Sequence, residues 1–88
     1  MDNNKEITLI AGDKELKFNV GISEYNRYLD EMTMTDKVVP AENFLRRTLA
    51  DKAQKPLLDE LCNAGLTLEL AGSVIQEFRP QVTITVKK

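Results

Sequence analysis

The sequence predicts an α+β fold in which a three-stranded sheet is packed on one face by four helices, in the order β-β-α-α-α-α-β. Three observations predict it. Apolar residues alternate strictly near both ends, within residues 5–20 and 82–86. Between those runs they recur at helical spacing. Pro40, Pro56, Gly65 and Pro80 punctuate the middle at places where helices start or stop. The 88 residues hold no internal repeat, low-complexity tract or linker, so 1–88 reads as a single domain.

The first two strands form a hairpin over residues 5–20. Ile7, Leu9 and Ala11 share one face of the first run, and Leu16, Phe18 and Val20 share one face of the second. Gly12-Asp13-Lys14 supplies the turn between them. Ile10 falls on the opposite face, which suggests a central strand with some apolar cover on both sides.

The period then changes. Ile22, Tyr25, Tyr28, Leu29 and Met32 predict a helix over about 22–33, with Ser23 as its N-cap and Glu24 in its first turn. Thr33 to Lys37 has no period and reads as a loop. A second helix, about 40–52, opens at Pro40 with Glu42 near its positive end. Its stripe is Ala41, Phe44, Leu45 and Leu49, with Asn43, Arg46 and Arg47 facing away. A third, about 56–64, starts at Pro56, carries Leu57, Leu58, Leu61 and Cys62, and stops at the left-handed residue Gly65.

Residues 66–79 fit two patterns. Leu66, Leu68 and Leu70 alternate like a strand, whereas Leu70, Ala71, Val74, Ile75 and Phe78 are spaced like a helix. The second pattern is longer and runs unbroken to Pro80, so a helix over about 67–79 is expected. Strand 81–87 follows, with Val82, Ile84 and Val86 alternating with threonines and completing the sheet.

Composition closes most catalytic routes. Histidine is absent, which removes the commonest general base and metal ligand, and one cysteine makes neither a disulfide nor a paired-thiolate zinc site. Ser23 and Ser73 have no base at a motif spacing. Asp30-Glu31 and Asp59-Glu60 are adjacent helical pairs whose side chains diverge by about 100°, as on a solvated face. Four scattered glycines make no phosphate-binding loop. No catalytic, metal or cofactor site is expected.

A net charge of −2 disfavours nucleic-acid coating, and no apolar run is long enough to span a membrane. The polar segment Met1–Glu6 carries no secretory h-region, which fits a cytoplasmic protein. A chain this small without metal or disulfide is marginal alone, so a homo-oligomer is a natural outcome. Arg46-Arg47, with Lys52 and Lys55 beyond, is the single local basic cluster. It reads either as a surface for phosphate or an acidic partner, or as a solvated face balanced by Glu42 and Asp51. Tyr25 and Tyr28 share one helical face, and Met32 and Met34 add flexible apolar surface near that helix's end.

The assembled pattern resembles the small tail assembly chaperones of tailed bacteriophages and prophages. The likeness is carried by Lys5-Glu6-Ile7-Thr8-Leu9, by Tyr25 to Met32 and by Val39 to Thr48. Leu70-Ala71-Gly72 through Glu77-Phe78, and Val82 to Val86, extend it over nearly the whole chain. It implies a non-enzymatic protein of the host cytoplasm, absent from the finished virion. Its partners would be the long, helical tape-measure protein and the tail-tube subunits that polymerise around it. Residue type and helix face then select Tyr25, Tyr28, Phe44, Arg46 and Arg47 as the client-binding surface. Competing readings are a small regulator that binds nucleic acid and an inhibitor of a host protein.

Overall fold

The computed structural model describes residues 4–79 and 85–87. Strands β1 (Lys5–Ala11) and β2 (Lys14–Val20) pair antiparallel, with Ile7 opposite Phe18 and Leu9 opposite Leu16. The register puts Ile7, Leu16, Phe18 and Val20 on one buried face. A two-residue loop joins the strands, and Gly12, at φ +68°, takes the first central position, where a type II′ turn demands a positive φ.

Four helices follow: α1 (Ile22–Glu31), α2 (Val38–Thr48), α3 (Lys55–Asn63) and α4 (Thr67–Phe78). α2 is the central one, packing against α1, α3, α4 and β2, while α4 also lies on β1. Phe18, Phe44, Leu16, Leu45, Leu58, Val20 and Val74 are fully buried where these elements meet. α2, α3 and α4 therefore bury their apolar stripes as the sequence period requires, whereas the expected α1 stripe is split: Tyr28 is buried, Tyr25 and Met32 are partly buried, and Ile22 and Leu29 are exposed.

Several boundaries differ from expectation. α1 begins at Ile22 with Gly21 as its N-cap, so Ser23 is an exposed residue inside the first turn and caps nothing. The reason is the short link: β2 runs to the buried Val20, and one residue remains before the helix. α2 begins two residues early, at Val38, which still leaves Pro40 in the first turn, where its missing N–H costs nothing. It also ends early, at Thr48. Leu49 leaves helical geometry to bridge Phe18, and the Ala50 N–H donates to the Lys17 carbonyl at 2.8 Å.

That departure closes one edge of the sheet. Asp51 accepts from the Ala53 N–H and caps a 3-10 turn, Lys52–Gln54. Gln54 then stands in for a strand residue. Its Oε1 accepts from the Lys17 N–H and its Nε2 donates to the Glu15 carbonyl, both at 3.0 Å. An open sheet edge presents unpaired N–H and C=O groups, and here a side-chain amide pairs with one of each.

α3 ends as the sequence predicts. Gly65, at φ +88°, donates to the Cys62 carbonyl, and Leu66 donates to the Leu61 carbonyl. These are the paired bonds of a Schellman motif, with Leu61 and Leu66 both packed on the core. Residues 67–78 are helical, so the longer of the two competing periods holds. Gly72 sits inside α4 on an exposed turn, and a Cβ there would meet nothing within 4 Å. Gly72→Ala should therefore stabilise the domain by about 1 kcal/mol through helix propensity. A higher urea midpoint with unchanged slope would show it.

Among the described residues the sheet has two strands, not three. The expected closing strand, 81–87, falls largely outside those residues, and 85–87 take no regular secondary structure. Ile10 is 74% exposed, so the outer face of β1 has no apolar cover among the described residues.

Candidate partner-binding surface

The five residues selected from sequence do not share one surface. Tyr28 and Phe44 are core residues, with rings stacked at 5.0 Å between centroids and 26° between planes. Tyr25 is half-buried and leans on Phe78 of α4 at 5.5 Å. A tyrosine stripe at helical spacing has thus done what such stripes most often do, which is pack. Burial pushes the Tyr28 phenol up from its ordinary value of 10.0. The unfolded chain then ionises first, so stability should fall as pH rises above about 10. Tyr28→Phe should remove that component, read as urea midpoints compared between about pH 9 and pH 11.

The two arginines, adjacent in sequence, go opposite ways. Arg47 turns toward α1, where its Nε donates to Glu24 Oε2 at 3.0 Å and its Nη1 to Glu31 Oε1 at 3.4 Å. Its Nη2 is buried without a hydrogen-bond partner among the described residues. Arg46 turns toward α3. Its Nη2 contacts Glu42 one helical turn back and Asp59 at 3.1 Å. Glu42 is the expected counter-charge, but Asp51 is not, because it caps the 3-10 turn and Asp59 takes its place.

Between the end of α2 and the start of α3 lies a cavity of about 230 Å³, lined by Arg46, Leu49, Lys52 and Lys55. Among the described residues the lining carries three cationic heads, but it is more apolar than polar, because the alkyl stems of those side chains form most of it and Leu49 is itself almost wholly buried. Lys52 Nζ donates to the Arg46 carbonyl at 3.3 Å, placing its positive charge at the carbonyl end of α2. The sequence cluster Arg46, Arg47, Lys52 and Lys55 is therefore divided. Three members gather round a cavity, and Arg47 fastens two helices.

A second feature is apolar. The turn between α1 and α2 is closed by Thr33 and Asp36: the Asp36 N–H donates to Thr33 Oγ1 at 2.8 Å, and the Thr33 N–H to the Asp36 carbonyl at 3.1 Å. Met34, carried on this turn, is 94% exposed. Leu29 on the last turns of α1, and Val38 and Val39 at the start of α2, are each about half exposed. Met32, by contrast, packs on the core. The sequence points to Met34 as adaptable surface, but it places Val38 and Val39 in no element, between the loop 33–37 and the helix expected from 40, and it counts Leu29 in the helical stripe of α1. The available signal was an apolar pair directly before Pro40, outside any stripe.

A model of the phage tail assembly chaperone family matches residues 7–88, which takes in all but the first two residues of the hairpin, α1 to α4 and the segment after them. The chain belongs to this family. A relative in Haemophilus phage HP1, an uncharacterised protein of 11.3 kDa from the lys 3′ region, is 27% identical over 81 residues. The match covers 92% of this chain and 79% of the phage protein. No solved structure matches. The family places the chaperone in tail assembly without assigning a role to any side chain, so the surface must be argued from geometry. No helix among the described residues is long and apolar enough to cross a membrane.

Proposed function

We propose that this chaperone binds the long, helical tape-measure protein in the host cytoplasm and helps tail-tube subunits assemble around it, without catalysing a reaction. The observation that carries this reading is the exposed apolar group Leu29, Met34, Val38 and Val39 at the α1–α2 turn. A long amphipathic helix exposes apolar surface before its tube has formed, and small domains can cover it by laying apolar side chains along it. Methionine suits that task because its unbranched chain adapts to different neighbours. Weak contacts repeated along one client then add through effective concentration, so no single surface needs high affinity. The absence of histidine is consistent with work done by contact alone.

The test is co-expression with the tape-measure protein encoded by the same phage, followed by sizing of the chain alone and of the pair. The wild-type chain should co-purify and keep the client soluble, and sizing it alone also reads any homo-oligomer. The variant Met34→Asp with Val38→Asp changes two exposed side chains and should lose the client while keeping a native circular dichroism spectrum. A strict monomer that ignores the tape-measure protein would overturn the proposal.

A further inference from the structure

We propose that the cavity between α2 and α3 is a docking site for an acidic segment of a partner polypeptide, taking one carboxylate side chain with its apolar neighbour. The argument is one of charge and shape. Arg46, Lys52 and Lys55 line the opening with their cationic heads and alkyl stems, beside the nearly buried Leu49. Among the described residues neither lysine has a carboxylate partner. Lys52 spends one ammonium donor on the Arg46 carbonyl, which leaves two. Arg46 meets both Glu42 and Asp59 through Nη2, so its Nε and Nη1 remain available to a further acceptor.

The same charges argue against a polyanion. Glu42, Asp51 and Asp59 lie around the cationic group, and the whole chain carries a net charge of −2. A nucleic-acid backbone would bring many phosphates past those carboxylates, whereas a single acidic side chain meets only the cations that face it. Size points the same way. About 230 Å³ is small for a free cofactor or metabolite but holds one or two side chains. The alkyl stems of Arg46, Lys52 and Lys55 also give the residue beside the carboxylate apolar surface to cover, which phosphate does not require.

The site is fixed by the fold itself. Leu49 is held by its bridge to Phe18, and Gln54 is held by the two backbone groups of β2, so residues 49–54 between α2 and α3 are clamped at both ends. The backbone that carries Lys52 is fixed in this way, so ordering on binding is confined to the side chains. The site uses none of the residues of the α1–α2 turn, so it can engage a second partner or a second segment of the same client.

The experiment is a titration of the full chain, labelled with nitrogen-15, with an acetylated, amidated Glu-Leu-Glu-Leu peptide, following backbone amide shifts. Dose-dependent shifts confined to residues 46–58 are expected, weakening as salt is raised. Lys52→Ala with Lys55→Ala should weaken binding by about tenfold while shifts elsewhere in the spectrum stay native. A Gln-Leu-Gln-Leu peptide should give no comparable shifts. Equal response to that neutral peptide, unchanged binding by the double variant, or tighter binding of inorganic phosphate or a single-stranded oligonucleotide at the same amides would each overturn the proposal.

Discussion

Truncating Phe44 to alanine should destabilise the domain by about 4 kcal/mol, a large share of the roughly 5–15 kcal/mol that holds a typical domain together. Phe44 is fully buried on α2, the helix that touches three other helices and the sheet. Its ring also stacks on Tyr28 at 5.0 Å, so the truncation leaves a cavity and removes an aromatic partner together. The effect should appear as a large drop in the urea midpoint, and much of the population should be unfolded at physiological temperature. Phe44→Leu, which fills most of the volume, should recover more than half of the loss. A residue acting at a client surface predicts the reverse, stability within about 0.5 kcal/mol of wild type and client capture lost. An unchanged midpoint for Phe44→Ala would remove Phe44 from the core.

What the sequence made legible was whatever local chemistry decides. The hairpin followed from strict alternation about Gly12-Asp13, and the end of α3 from the left-handed residue Gly65. α4 followed from the longer of two periods. What it left hidden depends on contacts between distant residues. The early end of α2 is set by Leu49 bridging Phe18, a partner 31 positions away, so helical propensity in residues 49–52 was overridden. Gly21 caps α1 because β2 runs one residue short of it, a boundary that a cap-seeking reading of Ser23 does not see. The client residues chosen from sequence scatter for a similar reason. Tyr28 and Phe44 were selected by type, although their spacing already marked them as core. Arg46 and Arg47 looked alike as neighbours, but a turn of about 100° sends one to Asp59 on α3 and the other to Glu24 and Glu31 on α1. The apolar turn at Met34 and Val38 was visible in pieces only, because its exposure depends on what does not pack against it.

Arg47 supplies the second large effect, and it concerns how the apolar turn is held. Arg47→Ala should cost about 2 kcal/mol, whereas Arg46→Ala should cost under about 1 kcal/mol. The difference lies in exposure. The Arg47 side chain is 22% exposed and shares two carboxylates that are themselves only about a third exposed, while Arg46 is twice as accessible as Arg47. Water screens the Arg46 pairs more fully, and removing Arg47 leaves Glu24 and Glu31 with less compensation for their partial burial. The Nη2 of Arg47, without a partner among the described residues, works against the pair and keeps its contribution well below that of a fully satisfied buried bridge. A double-mutant cycle of Arg47→Ala with Glu24→Gln isolates the direct contact, and a coupling of about 0.5–1.5 kcal/mol is expected. The loss should also be local. Tyr28 still stacks on Phe44 and Arg27 still pairs with Glu31, so loss of Arg47 loosens α1 on α2 rather than melting it. Hydrogen exchange should accelerate in α1 and in the turn through Met34 more than in α4, whose contacts with α2 and β1 are untouched. If client capture depends on Leu29, Met34, Val38 and Val39 standing together, the Arg47→Ala chain should bind its client less tightly than its remaining stability would allow. Equal exchange rates in α1 and α4 would mean that Arg47 contributes to the whole domain rather than to the alignment of the two helices that present the turn.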